Sequence, residues 1–193
     1  MTQPRVIGLD LSMTATGIAW ADGTTYTIKP KRDGDARLLE IESEISRAIE
    51  GRTIDLVVIE DLPANAKSAG ITGMVHGTIR AWLRHHAVPY ALATPATLKK
   101  YATGRGNAGK PEMAVAAYKR LNRELADDNQ VDALWLRAAG LDHLDHPDAQ
   151  LPATQRAALT AVKWPARLDT TPTRPHHDEP RFGRTVVNVP LPA

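Results

Sequence analysis

Cysteine is absent from the 193 residues, which excludes a disulfide framework, thiol catalysis and any zinc site built on thiolates. No apolar run approaches the roughly 18 residues that a membrane span needs. The opening MTQPRVIGLD enters a strand-like pattern without a basic n-region and apolar h-region. These absences lead to the expectation of a soluble, cytoplasmic protein. A clear Ser/His/Asp grouping is also missing, so a side-chain nucleophile has no obvious candidate. The length fits one ordinary domain with something left over. It is too short for most two-domain enzymes that close over a cofactor.

Net charge is small as well, 24 Lys+Arg against 22 Asp+Glu for a formal +2, but its placement is uneven. Residues 94–123 hold Lys99, Lys100, Arg105, Lys110, Lys119, Arg120 and Arg123 against the single acid Glu112. That block carries +6 and leaves −4 on the rest of the chain. A basic block on a mildly acidic body points to a polyanionic partner.

The apolar pattern gives an α/β order. PRVIGLDL (4–11) reads as a strand, and GIAWA (17–21) and TTYTIK (24–29) follow as two more, joined by the turn dipeptide Asp22-Gly23. Leu38, Ile41, Ile45 and Ile49 recur at helical spacing within 34–50. TIDLVVIE (53–60) is a nearly continuous apolar run, typical of a strand buried on both faces. A helix over about 71–86 precedes a short strand at 88–93. Thr94-Pro95 starts a further helix, Pro111 opens another, and a last long one runs from near Asp127 to about Gly140. Hairpins feeding right-handed crossovers predict a mixed five-stranded sheet flanked by helices. Residues 151–168 are expected to pack on this domain, which then spans 1–168. Residues 169–193 contain five of the 14 prolines and read as a disordered tail.

Carboxylates stand where a core would not place charge. Asp10 sits inside the first strand pattern, Glu60 ends the most apolar strand, and Asp128 and Asp132 lie on the last helix. Burying an ionised carboxylate costs several kcal/mol unless a cation compensates. A divalent ion resolves that cost, and hard Mg²⁺ prefers oxygen ligands. On a helical wheel Val131, Leu134, Trp135 and Ala138 form an apolar stripe. Asp128 and Asp132 fall roughly 60° and 100° from Val131, along its border. Asn129 falls on the far side, facing solvent, and Asp127 reads as the N-cap. Each acid alone has an ordinary reading as a turn, cap or solvated strand exit. Their combination carries the inference, because Asp10 and Glu60 should be neighbours at the sheet centre.

GLDLSMTATGIAW with Asp10, VVIEDLP with Glu60 and DDNQVDALWL with Asp132 resemble the RuvC-type Holliday-junction resolvases of the ribonuclease-H-like superfamily. The resemblance looks closest to phage-type members and covers roughly residues 4–168. It implies a structure-selective endonuclease acting on branched DNA. Asp10, Glu60 and Asp132 would hold two Mg²⁺ ions per site, with Mn²⁺ able to substitute, and a further acid from the last helix would assist. The better-known bacterial members carry that fourth ligand three residues before the last Asp, where this chain has Asn129. Asp128, Asp127 and Asn129 all remain open for the role, with Asp128 on the favoured side of the wheel. Two-metal chemistry would then drive in-line hydrolysis at phosphorus. The same strand-and-turn pattern occurs in ATP-dependent phosphotransferases, but those need two such domains. A catalytically idle DNA-binding relative is the third option.

The segment Gly104–Lys110 formally fits both GxGxxG and GxxxxGK. The first should follow a strand and here follows a helix, and the second needs Ser or Thr where Pro111 stands. It reads instead as a flexible loop whose Lys110 leads to a helix N-terminus favourable to phosphate. The resemblance implies DNA contacts from Lys99, Lys100 and Lys110, with Arg105 a plausible addition. Lys119, Arg120 and Arg123 read as a solvated face. Gly73 and Gly77, four apart in the 71–86 helix, allow close helix packing, and the resemblance implies a homodimer built there.

Overall fold

The computed structural model describes residues 3–62 and 69–166. Five strands, β1 (Val6–Asp10), β2 (Thr16–Ala19), β3 (Thr25–Ile28), β4 (Leu56–Glu60) and β5 (Tyr90–Ala93), form one sheet in the order β3-β2-β1-β4-β5. The β1–β2 and β2–β3 pairs are antiparallel, as hairpins require, and β1–β4 and β4–β5 are parallel. The expected mixed sheet is therefore present, and the fold class is α/β. The helices are α1 (Ala36–Ile49), α2 (Ala69–His85), α3 (Pro95–Thr103), α4 (Lys110–Leu121), α5 (Asp128–His143) and α6 (Ala153–Arg156). A 3-10 turn follows at Ala157–Ala161. The expected tail, 169–193, lies outside the described residues.

Period-two alternation sorts the strand side chains into two cores. Ile7 and Leu9 of β1 and Val57 and Ile59 of β4 face α1 and α2, where they meet Ile41, Ile45, Val75, Ile79 and Leu83. Val6, Leu56 and Val58 face the other way, against Leu134, Leu136 and Ala138 of α5 and the helices outside it. Both central strands are thus buried on both faces, which explains their near-continuous aliphatic runs.

Helix α5 lies directly on the sheet, and two glycines let it come that close. A methyl group at Gly8 would collide with the carbonyl oxygen of Ala133, and one at Gly17 with that of Asn129. This approach corrects the expectation for Asn129. It is half-buried against β2, and its side-chain amide donates to Asp127 Oδ1 at 3.0 Å. The wheel gave α5 a single apolar stripe. In fact Val131 and every residue from Ala133 to Asp142 are buried, because small residues bring the sheet to one flank and α3 and α4 to another.

The N-terminal end of α5 is pinned to the hairpin. Asp127 caps the helix by accepting the Asn129 backbone N–H at 2.9 Å, and it also accepts the Thr27 hydroxyl at 2.9 Å. Those two hydrogen-bond sets outweigh burial and hold its carboxyl below the ordinary value. Gln130 accepts from the Thr25 hydroxyl at 2.8 Å. Further along, Arg123, expected on a solvated face, instead donates to the Gly23 carbonyl at 2.7 Å. The turn after β1 closes on itself, with the Thr16 hydroxyl donating to the Ser12 carbonyl at 2.6 Å. Among the described residues, no helix is long and apolar enough to cross a membrane.

Candidate metal centre

Three of the four anticipated acids meet. Carboxylate oxygens of Asp10, Glu60 and Asp132 all lie within 4.8 Å of one another. Strand pairing accounts for the first two. Leu9 is opposite Ile59 in the parallel β1–β4 ladder, so the next residues, Asp10 and Glu60, share the C-terminal edge of the sheet. Helix α5, seated on Gly8 and Gly17, delivers Asp132 from above.

Electrostatics at this edge are unfavourable without a cation. Burial, followed by the Asp132 charge, pushes the Asp10 carboxyl up to about 7, with Lys110 pulling the other way. Burial and then the Asp10 and Asp132 charges push Glu60 up to about 8. Burial lifts Asp132 to about 6, against the pull of Lys99. Like charges brought out of water retain protons unless positive charge is supplied. An all-oxygen donor set of this kind fits a hard divalent ion.

Asp128 stands apart from the trio. It lies one helical turn before Asp132 and lines a cavity of about 120 Å³ together with Glu60, Pro95, Lys99, Lys110, Met113, Val131 and Asp132. Its Oδ2 is 2.9 Å from Lys110 Nζ. Of the three residues left open for a fourth role, Asp127 is committed to the helix cap and Asn129 to Asp127. Asp128 is the one that reaches the cavity.

The basic residues divide in the same way. Lys99 and Lys110 line the cavity. Lys100, on the exposed side of α3, is not among its lining residues. Arg105 forms an ion pair with Glu112. The Gly104–Lys110 segment is held in place: Glu112 accepts the Gly109 N–H at 2.6 Å and Ala108 is buried. The start of α4 therefore already has a carboxylate where a phosphate was expected. Thr25 and Thr27, which fix α5 to the hairpin, were not singled out from the sequence. Their i, i+2 spacing on one strand face was the available signal.

Comparisons with known proteins bear on the family and the fold. No protein-family profile matches the chain. The crossover junction endodeoxyribonuclease RuvC of Sorangium cellulosum is 32% identical over 141 residues, spanning 72% of this chain and 74% of the relative. The chain belongs to the RuvC family. The RuvC protein of Streptomyces coelicolor is 26% identical, with 93% of this chain and 98% of that protein covered. Among solved structures, Thermus thermophilus RuvC in complex with a Holliday junction substrate superposes with a TM-score of 0.59 at 20% identity, covering 73% of this chain and 93% of that one. A second T. thermophilus RuvC structure also superposes at 0.59, with 18% identity. The structural likeness carries the fold.

Proposed function

We propose that this RuvC-family chain is a metal-dependent endonuclease that resolves Holliday junctions and other branched DNA by hydrolysing phosphodiester bonds. The observation that carries the reading is the convergence of Asp10, Glu60 and Asp132 within 4.8 Å at one sheet edge, with Lys99 and Lys110 beside the acids. Asp10, Glu60 and Asp132 hold the ions, with Asp128 completing the set. The ions are Mg²⁺, two per site, with Mn²⁺ able to replace them. Bound there, they favour in-line attack of water at phosphorus and stabilise charge on the leaving oxygen. Lys99 and Lys110 orient the phosphate at the cavity, and Lys100 and Arg105 extend the contact over the neighbouring surface. Phosphate contacts make binding steeply salt-dependent, and the deformability of the branch point supplies selectivity.

Paired cuts across a junction require two sites, and we place a homodimer on α2. Its outer face leaves Ile71 and Met74 exposed beside Gly77 and Ala81. The nuclease chemistry is housed in 1–168. The sheet order supports membership of the ribonuclease-H-like superfamily. We assign the chain to the phage-type branch on the resemblance of its motifs. The setting is the cytoplasm of a prokaryotic or phage-infected cell.

The test incubates a synthetic four-way junction with the protein and Mg²⁺, with Asp10→Asn alongside. Paired nicks from the wild type and none from the variant are expected. Equal cutting by both, or an intact junction throughout, rejects the assignment.

A further inference from the structure

Two residues with separate roles in the proposed reaction are bonded to each other. Lys110, the first residue of α4, reaches across the cavity so that its Nζ lies 2.9 Å from Oδ2 of Asp128 on α5. Glu60, Asp132 and Lys99 line the same cavity. The Lys110 side chain is about three-quarters exposed and that of Asp128 somewhat under half, so substrate and solvent reach both. While the bond holds, Asp128 accepts from an ammonium and Lys110 is taken up by a carboxylate.

We infer that the Lys110–Asp128 pair is a latch, which a DNA phosphate opens by drawing Lys110 away and so freeing Asp128 to join Asp10, Glu60 and Asp132 around a divalent ion. The inference rests on the proposed metal centre. Three observations converge on it. Asp128 lines the cavity yet falls outside the trio whose oxygens meet within 4.8 Å. It lies one turn from Asp132 on the same helix, so a side-chain rotation is enough to bring the two oxygens together. The two residues that could otherwise serve as fourth ligand are bonded to each other at the helix cap.

The physical logic is exchange of partners. An ammonium and a divalent cation repel, so an ion entering beside Asp132 is disfavoured while Lys110 remains at Asp128. A phosphate offers Lys110 an equivalent charge-assisted bond. Each ligand then favours the same open arrangement, which is the condition for positive coupling between them. In the DNA-free protein the latch keeps ion affinity down. On the junction it releases the fourth carboxylate at the site where it is needed.

The test is a double-mutant cycle on ion affinity rather than on cutting. Wild-type protein, Lys110→Met, Asp128→Asn and the double variant are titrated with Ca²⁺ by calorimetry, alone and with saturating four-way junction. The junction is verified intact by gel afterwards. Lys110 is exposed and Asp128 partly so, each at the first turn of its helix and outside the two cores, so the variants retain the fold. Without DNA, Lys110→Met should tighten Ca²⁺ by about fivefold or more when Asp128 is present. In the Asp128→Asn background the same change should tighten it by less than about twofold. With junction bound, the effect of Lys110→Met should disappear, because Lys110 has already left. Lys99→Met, which removes a cavity cation not bonded to Asp128, should act equally in both backgrounds.

A less than about twofold difference between the two backgrounds overturns the latch and leaves the metal centre standing, because Lys110 is then only a nearby positive charge. An effect that persists undiminished on the junction overturns it too. Failure of the wild type to take up Ca²⁺ both alone and on the junction removes the metal centre, and the latch with it.

Discussion

Asp10 and Glu60 stand side by side at the ends of neighbouring parallel strands, one residue beyond the paired positions Leu9 and Ile59. With Asp132 they form a trio whose carboxyls sit above the ordinary range, near 7, 8 and 6 for Asp10, Glu60 and Asp132. The unfolded chain loses those protons near its ordinary values of 3.8 and 4.5. Between these limits the folded state binds more protons, so stability falls as pH rises. In chelator, the melting midpoint should therefore decline from about pH 5 to pH 8 and then level off. Asp22 and Asp127, held below the ordinary range, act in the opposite direction only in more acid solution. Glu60→Gln should flatten the decline, and saturating Mg²⁺ at pH 8 should raise the midpoint. A midpoint that rises across this window in chelator contradicts the uncompensated trio.

Removing any one of the three acids should abolish cutting while sparing junction binding. Asp10→Asn, Glu60→Gln and Asp132→Asn keep side-chain size and remove a negative charge. Each should lower the cleavage rate by more than the roughly 10–100-fold that outer-shell changes cost at metal sites. In a gel-shift assay with Ca²⁺, affinity for the four-way junction should stay within about threefold of wild type, because phosphate contacts dominate binding. A variant that still cuts at a tenth of the wild-type rate or better would remove its residue from the ion set.

The sequence made the sheet legible because β1 and β4 carry aliphatic runs, broken only by Gly8, that lead to an acid. Parallel pairing then leaves Asp10 and Glu60 little choice but to meet. Asp132 was legible for a related reason, since it borders the apolar stripe of α5. Asn129 was misplaced because a helical wheel knows nothing of the glycine opposite, and Gly17 brings β2 against a flank that the wheel assigned to water. The Gly104–Lys110 loop and Arg123 were misread alike. Glu112 stands three residues after Gly109, a capping-box spacing that the sequence did offer, whereas the Gly23 carbonyl is 100 residues from Arg123 and no periodicity links them. The Lys110–Asp128 bond was beyond reach for the same reason.

Glycine at position 8 should be as necessary to the site as the acids. A methyl there meets the Ala133 carbonyl oxygen and sits close to the Arg137 backbone nitrogen, both parts of a helix that cannot yield locally. Overpacking of this sort typically costs about 1–3 kcal/mol. Gly8→Ala should lower the unfolding free energy by that amount and also lift α5, carrying Asp132 away from Asp10. Ion affinity should fall more steeply than stability. Gly77→Ala, where no neighbouring atom lies within 4 Å, is the contrasting control and should leave the monomer's stability nearly unchanged.

The salt dependence of junction binding should separate the cations by their present partners. Each phosphate neutralised by a lysine or arginine contributes about 0.9 to the slope of log affinity against log salt on duplex DNA, so losing a true contact lowers the slope by about one. Lys99 lines the acidic cavity, and no acid is bonded to its ammonium among the ion pairs of the described residues. Lys99→Met should therefore show the full decrement. Arg105 is already paired with Glu112, so a phosphate must displace that carboxylate and the net gain is smaller. Arg105→Met should lower the slope by well under one. Adding Glu112→Gln should raise junction affinity when Arg105 is present and do little once Arg105 is removed. Equal slopes for the Lys99→Met and Arg105→Met variants would show that the Arg105–Glu112 pair does not compete with DNA.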